Sequence, residues 1–110
     1  DLENGAFLFV LIGTDCLHCR GSVKDFNRLA KKSEIPEIIG LSPDYQDQID
    51  AFVEDLKPAY PVVQISEDDF YRLLGMGTTP YSILVVERHK IRTWDEEVPT
   101  VEEITEALGK

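Results

Sequence analysis

Both cysteines of this chain lie in one short stretch, TDCLHCRG (residues 14–21), with two residues between them. Cys16 and Cys19 could form half of a metal site, pack as two unrelated buried side chains, or exchange electrons through their thiols. The C-x-x-C spacing occurs both in zinc sites and in redox centres, so the spacing alone does not decide between them. The surrounding residues have to decide between these possibilities.

The ligand count disfavours a structural zinc site. Such a site needs four ligands, and besides the cysteines this chain offers only His18 and His89 as soft ligands. His18 lies between the cysteines, where its ring is badly placed to complete a tetrahedron with both. The sequence contains neither a second C-x-x-C nor a pair of histidines at zinc-finger spacing. We therefore predict no metal and no other cofactor.

The position of the pair favours redox chemistry. The apolar run at residues 7–12 is typical of a strand buried on both faces, and Thr14 and Asp15 are candidate N-caps of a helix that begins at or beside Cys16. The first N–H groups of a helix and its positive dipole end stabilise a thiolate, the reactive form of cysteine. Cys19, one turn later, should face the interior within reach of Cys16. Disulfide exchange requires an accessible nucleophile beside a shielded resolving thiol.

The remaining elements predict an α/β domain. Further strands are predicted at residues 37–42, 62–65, 81–87 and 90–94. Helices are predicted after each of the first three strands and after the final hairpin. The start signals of the last three are Ser42 followed by Pro43, Ser66 with Asp69, and Thr100 with Glu103. The order β-α-β-α-β-α-β-β-α predicts right-handed parallel crossovers and one antiparallel pair. We therefore expect a mixed parallel and antiparallel sheet flanked by helices.

Length and charge exclude several classes of function. The 110 residues suit a single domain over residues 1–110, and 43% hydrophobic with 29% charged residues indicates a folded chain. The net charge of −10 repels phosphate backbones and anionic lipids, so nucleic-acid binding is not expected. The longest apolar run, residues 6–13, is far shorter than the roughly 20 residues of a spanning helix. We expect no direct membrane insertion by this domain.

Two segments of the chain resemble the thioredoxin superfamily: FLFVLIGTDCLHC (residues 7–19) and GMGTTPYSILVVE (residues 75–87). In that family a cis-proline precedes the hairpin and packs against the active-site disulfide, and Pro80 occupies the matching place. The segment between Cys19 and Pro80 holds one helix–strand unit more than the simplest thioredoxins. This central insert is similar to that of the TlpA/ResA-like branch of envelope thiol-disulfide oxidoreductases, which implies a thioredoxin-like fold.

The resemblance implies an oxidoreductase that exchanges electrons with protein disulfides or dithiols and with a redox partner protein. Cys16 would attack, and Cys19 would resolve the mixed disulfide and close a Cys16–Cys19 disulfide. The backbone of Thr79 and Pro80 would pair with an extended substrate segment. The envelope branch further implies the bacterial periplasm or another extracytoplasmic location, with tethering through an upstream segment, and the cytoplasm is the alternative.

Departures from the family pattern concern proton transfer and redox tuning. Asp15 stands where thioredoxins usually carry tryptophan, and Ser22 stands where TlpA-like proteins often carry an acid. The general base is therefore open among His18, Asp15 and water. A histidine at the position of His18 also occurs in DsbA, where it favours the thiolate. We predict that protonated His18 lowers the pKa of Cys16 and that Asp15 raises it; the plainer interpretation of His18 is an exposed polar residue.

Two other functions remain open from the sequence. A peroxiredoxin-like peroxidase is the first, but Thr14 lies only two residues before Cys16 and does not supply the spacing of those enzymes. The second is a non-enzymatic binding or copper-carrying module of the same fold. Copper carriers generally use a wider cysteine spacing and a distant histidine, for which this chain has only His89 to offer.

Overall fold

A computed structural model describes residues 5–110, which form five strands and four helices in the predicted order. The strands are β1 (Ala6–Leu11), β2 (Glu37–Ser42), β3 (Val62–Gln64), β4 (Tyr81–Val86) and β5 (His89–Asp95). The helices are α1 (Leu17–Ala30), α2 (Gln46–Leu56), α3 (Glu67–Leu74) and α4 (Val101–Ala107). None of the helices in this part of the chain is long and apolar enough to cross a membrane.

The strands form one mixed sheet in the order β3-β2-β1-β4-β5. β1 pairs in parallel with β2 and antiparallel with β4, while β3 adds a parallel edge and β5 an antiparallel one. The central strand β1 is buried on both faces, as its continuous apolar sequence predicts; Leu8, Val10 and Leu11 are fully buried. The predicted α/β class and mixed sheet are confirmed, and β3 occupies one edge of the sheet.

Helix α1 packs against the sheet through one apolar face. Its buried residues recur at helical spacing: Cys19, Ser22, Val23, Phe26 and Leu29. Cys19 and Phe26 belong to the main core cluster together with residues of β1. Burial of this stripe fixes how α1 is rotated about its axis, and the rotation directs Cys19 into the interior.

The two ends of the sheet differ in what they carry. Leu11 at the end of β1 pairs with Tyr81 at the start of β4, so the loops that follow β1 and precede β4 meet at one end. Val86 pairs with Ala6 on one side and with His89 on the other, so the β4–β5 turn lies at the opposite end. The C-x-x-C motif and the Thr79–Pro80 segment are therefore neighbours.

The predicted start of the second helix is wrong. Ser42 is not an N-cap but the last residue of β2, where it pairs with Gln64 of β3 and is fully buried. Its hydroxyl accepts a hydrogen bond from the N–H of Asp44 at 3.2 Å. Pro43 therefore lies in a loop, and Tyr45 is the N-cap of α2. The later N-caps Ser66 and Thr100 are confirmed by their bonds to the N–H groups of Asp69 and Glu103.

Candidate redox site

The N-cap of α1 is Cys16 itself rather than Thr14 or Asp15. Cys16 has extended backbone angles (φ −74°, ψ 114°), and its sulfur accepts a hydrogen bond from the N–H of Cys19 at 3.1 Å. This N–H is one of the donors that a helix leaves without an intrahelical partner. Cys16 is partly exposed, Cys19 is 1% exposed, and both are free thiols. The cap thus places the accessible sulfur at the positive end of the helix.

The segment before β4 approaches the same sulfur. The Cys16 thiol donates to the Thr79 carbonyl at 3.7 Å, and the Thr79 hydroxyl donates to the Cys16 sulfur at 3.5 Å. The Thr79–Pro80 peptide bond is cis, and Pro80 is fully buried. The Pro80 carbonyl accepts a hydrogen bond from the N–H of Glu96 at 2.8 Å, which ties this segment to the end of β5. Thr79 is therefore held against the cysteine motif.

The two thiols differ in acidity. Burial raises the pKa of Cys16, but hydrogen bonds from Cys19 and Thr79 outweigh it, so the net pKa lies below the ordinary value of 9.0. Deeper burial, together with the hydrogen bond that its thiol donates to Cys16, raises the pKa of Cys19 to about 12. As pH rises, Cys16 therefore becomes a thiolate first, while Cys19 stays protonated.

The loop between β1 and α1 is held by Asp44 and Arg20, two residues that the sequence analysis did not single out. Thr14 is buried, and its N–H and its hydroxyl both donate to Oδ2 of Asp44 at 2.7 Å. The Thr14 carbonyl accepts a hydrogen bond from Arg20 at 3.1 Å. The Arg20 guanidinium also forms an ion pair with Asp55 and lies 5.7 Å from the centre of the Phe52 ring. The only sequence signal for Asp44 is its place just after β2, the parallel neighbour of β1.

The predicted tuning residues lie at the surface beside the motif. Nδ1 of His18 is 3.4 Å from a carboxylate oxygen of Glu96, and these side chains are 54% and 48% exposed. Asp15 is exposed. Ser22, which stands where TlpA-like proteins often carry an acid, is buried and donates its hydroxyl to the Cys19 carbonyl at 2.9 Å.

An open groove of about 650 Å³ runs from His18 along α1 toward α4. Its acidic lining residues are Asp25, Glu96, Glu97 and Glu103. Of these carboxylates, Glu96 pairs with His18.

The architecture matches solved structures of low sequence identity. The exposed lipoprotein thioredoxin Etrx1 of Streptococcus pneumoniae superimposes with a TM-score of 0.78 at 12% identity, over 99% of this chain and 87% of that one. StoA of Bacillus subtilis gives a TM-score of 0.75 at 15% identity, over 96% and 84% of the two chains. The chain has a thioredoxin-like fold.

A secreted Mycobacterium tuberculosis disulfide oxidoreductase homologous to DsbE of E. coli has the same thioredoxin-like fold. It gives a TM-score of 0.73 at 8% identity and covers 98% of this chain and 83% of its own. Neither the family models nor the curated proteins match this sequence.

The thioredoxin-like fold separates the residues on which the alternative functions depended. His89 opens β5 at the end of the sheet opposite the cysteines, so it cannot join them as a copper ligand. The Thr14 hydroxyl is directed at Asp44, which removes it as a peroxide-binding group at Cys16. Among residues 5–110, no three histidine, cysteine, aspartate or glutamate side chains are grouped closely enough to hold a metal ion. Cys16, Cys19, His18, Thr79 and Pro80, by contrast, lie at one end of the sheet.

Proposed function

We propose that this protein is a thiol-disulfide oxidoreductase whose redox centre is the Cys16–Cys19 pair. The observation that carries the proposal is the unequal environment of the two thiols. Cys16 caps α1, is partly exposed and has a lowered pKa, whereas Cys19 is 1% exposed and has a pKa of about 12. Exchange needs one ready nucleophile and one shielded thiol close by. The thioredoxin-like neighbours, one named a disulfide oxidoreductase and one a lipoprotein thioredoxin, support the same function.

In the reductive direction the Cys16 thiolate attacks one sulfur of a substrate disulfide. A Cys16–substrate disulfide forms, and the second substrate sulfur leaves as a thiolate and takes up a proton. Cys19 then loses its proton and attacks the Cys16 sulfur, which releases the first substrate sulfur as a thiolate that is also protonated. The substrate gains two electrons and two protons, and the protein is left with a Cys16–Cys19 disulfide. The oxidative direction reverses these steps.

The Thr79–Pro80 segment is the proposed docking edge for the substrate. Because the Thr79 carbonyl lies 3.7 Å from the Cys16 sulfur, an extended segment paired with the Thr79 backbone would bring its own sulfur beside Cys16. Thr79 has a second role through its hydroxyl, whose hydrogen bonds lower the pKa of both Cys16 and Cys19. It therefore favours the thiolate that each cysteine needs at its own step.

His18 and Asp15 are the proposed tuning residues of this centre. His18 lies within the motif and Asp15 directly precedes Cys16, so a protonated His18 and the Asp15 carboxylate would act near the thiolate with opposite signs. Both side chains are exposed, and His18 is also paired with Glu96. Solvent and that carboxylate therefore screen the effect. We expect tuning of the redox potential to be modest.

The proposed substrates are proteins with accessible disulfides or dithiols, and a second redox protein would return the electrons. The structural neighbours include a protein described as secreted and another described as an exposed lipoprotein. On that basis we propose an extracytoplasmic location, with the cytoplasm as the alternative. The acidic surface, with a net charge of −10, favours partners that are basic around their cysteines.

Trapping of the mixed disulfide tests the proposed function. Reduced wild-type protein should reduce a peptide disulfide and become oxidised in the same amount. Cys19→Ser should accumulate a covalent adduct of the peptide at Cys16, because the resolving thiol is missing. The matched control Cys16→Ser should form no adduct. Trapping at Cys19 in that control would reverse the roles, and a wild-type protein that reduces no disulfide would refute the function.

A further inference from the structure

Every backbone and side-chain polar group of Thr14 is bound. Its N–H and its hydroxyl donate to the same oxygen of Asp44, each at 2.7 Å, and its carbonyl accepts from Arg20 at 3.1 Å. Thr14 is also 5% exposed, so these bonds are largely shielded from water. Hydrogen bonds to a charged carboxylate are stronger than neutral ones. The loop that leads into Cys16 is thus anchored at this residue.

The backbone of Asp44 is itself held by hydrogen bonds to side chains of β2 and β3. Its N–H donates to the hydroxyl of Ser42 at 3.2 Å, and its carbonyl accepts from the side-chain amide of Gln64 at 2.8 Å. Ser42 is fully buried at the end of β2. These two bonds tie the backbone of Asp44 to the ends of β2 and β3, so the residue that carries the carboxylate is held by the sheet and not by the loop before α1.

The position of Thr14 controls the position of Cys16. Thr14 lies two residues before the cysteine, and the N–H of Cys16 donates back to the carbonyl of Gly13 at 3.1 Å. The Cys16 sulfur accepts hydrogen bonds from the N–H of Cys19 at 3.1 Å, from the hydroxyl of Thr79 at 3.5 Å and from the thiol of Cys19. Hydrogen bonds weaken steeply with distance and misalignment, so a small shift of the loop would loosen these contacts.

We propose that Asp44 is a positioning residue of the redox centre, which acts through Thr14 to hold the Cys16 sulfur against the first turn of α1. Asp44 contacts neither cysteine sulfur through a hydrogen bond found among residues 5–110. Its contribution is to the geometry of the thiolate site. The relevance of this clamp to electron exchange rests on the proposed function, but its existence can be tested without any exchange reaction.

The test is the rate of Cys16 alkylation by iodoacetamide as a function of pH, followed by peptide mapping. Asp44→Ala should shift the midpoint upward by about half a pH unit and slow labelling at pH 7 about threefold, because the sulfur loses its donors. Asp44→Asn should keep the wild-type midpoint or lower it slightly, since an amide oxygen can accept both bonds from Thr14 without the negative charge. Loss of charge alone would never raise the midpoint. The direction of the shift therefore separates geometry from electrostatics.

A matched control lies at the other end of α1. Asn27 also makes two hydrogen bonds to a neighbouring loop, accepting from the N–H of Ala59 at 2.7 Å and donating to the carbonyl of Lys57 at 3.3 Å. Asn27→Ala should lower stability without moving the Cys16 midpoint. If Asp44→Ala lowers stability and leaves the midpoint in place, as the control does, Asp44 is only structural and the proposal is overturned.

A second pair of variants covers the case in which Asp44→Ala does not fold. Thr14→Val removes the hydroxyl donor with little change of shape, and Thr14→Ser keeps it. The proposal expects an upward shift of the midpoint in Thr14→Val and none in Thr14→Ser; equal midpoints would overturn it. A wild-type protein without exchange activity, combined with these shifts, would reject the proposed function and leave the clamp standing.

Discussion

The two ends of helix α1 are anchored in similar ways, yet only one end carries reactive chemistry. At the start, Thr14 binds Asp44 in the loop before α2; at the end, Asn27 binds the backbone of Lys57 and Ala59 after α2. The difference is helix polarity. The start of α1 presents N–H donors and positive dipole charge, which stabilise a thiolate, whereas its end presents carbonyls. Comparable anchoring thus accompanies a reactive site only at the end of α1 where backbone N–H groups can donate to a cysteine sulfur.

The largest expected effect is on stability, and it comes from a substitution in the middle of α1, between its two anchored ends. Phe26 is 1% exposed and packs edge-on against the ring of Tyr60 at 6.4 Å between centroids. Phe26→Ala should lower the free energy of unfolding by about 3–5 kcal/mol, because it removes buried surface and leaves a cavity. Denaturant unfolding of the reduced protein measures this. A loss comparable to that of Asn27→Ala, about 1 kcal/mol, would contradict the packing of α1 on the sheet.

The second prediction concerns the relative alkylation rates of Cys16, at the start of α1, and Cys19, one turn later. With a pKa below 9.0 for Cys16 and about 12 for Cys19, the thiolate population of Cys16 at pH 7 exceeds that of Cys19 at least about 1000-fold. The greater nucleophilicity of the more basic thiolate offsets part of this, so we expect alkylation of Cys16 to be at least about 30-fold faster. Mass spectrometry of the labelled peptides measures the ratio.

The pH dependence sharpens the same comparison. Labelling of Cys16 should rise with pH through a midpoint below pH 9, because its pKa is lowered, whereas labelling of Cys19 should still be rising at pH 11. Equal rates for the two thiols would mean that the helix start does not govern reactivity.

A smaller effect on the labelling rate of Cys16 is expected from Thr79, which approaches its sulfur from the segment before β4. Thr79→Val removes the hydroxyl that donates to the Cys16 sulfur, so the pKa of Cys16 should rise and labelling at pH 7 should slow about threefold. Thr79→Ser retains the hydroxyl and serves as the control. Should both variants label at the wild-type rate, the donors of α1 alone would account for the acidity of Cys16.

The smallest effects are expected at the exposed tuning residues. His18→Leu should lower the redox potential and Asp15→Ala should raise it, each by at most about 30 mV, within the span of about 150 mV that separates thioredoxin from DsbA. We expect the wild-type potential inside that span, nearer thioredoxin. Exposure of His18 and its pairing with Glu96 limit the change. A glutathione redox titration measures it, and an unchanged potential in His18→Leu would make His18 an ordinary surface residue.

Local sequence patterns predicted the order of the elements and the place of the C-x-x-C motif between a buried strand and a helix. They failed at Ser42, where Ser-Pro has the composition of a helix start but the residue pairs with β3 instead. The helix start at Cys16 was also assigned to the wrong caps, because Thr14 has a better partner in Asp44. Both errors arise where a polar side chain finds a distant partner that outcompetes the local one.

The sequence by itself determined which cysteine stands at the helix start and which lies one turn inward, because these depend on a strand boundary and on helical spacing. Only the tertiary structure decided that Thr79 reaches the Cys16 sulfur and that Asp44 holds Thr14, across separations of 63 and 30 residues. Such contacts depend on strand order and on where parallel strands end. Pairing β1 with both β2 and β4 brings these loops to one end of the sheet, and no local pattern encodes that meeting.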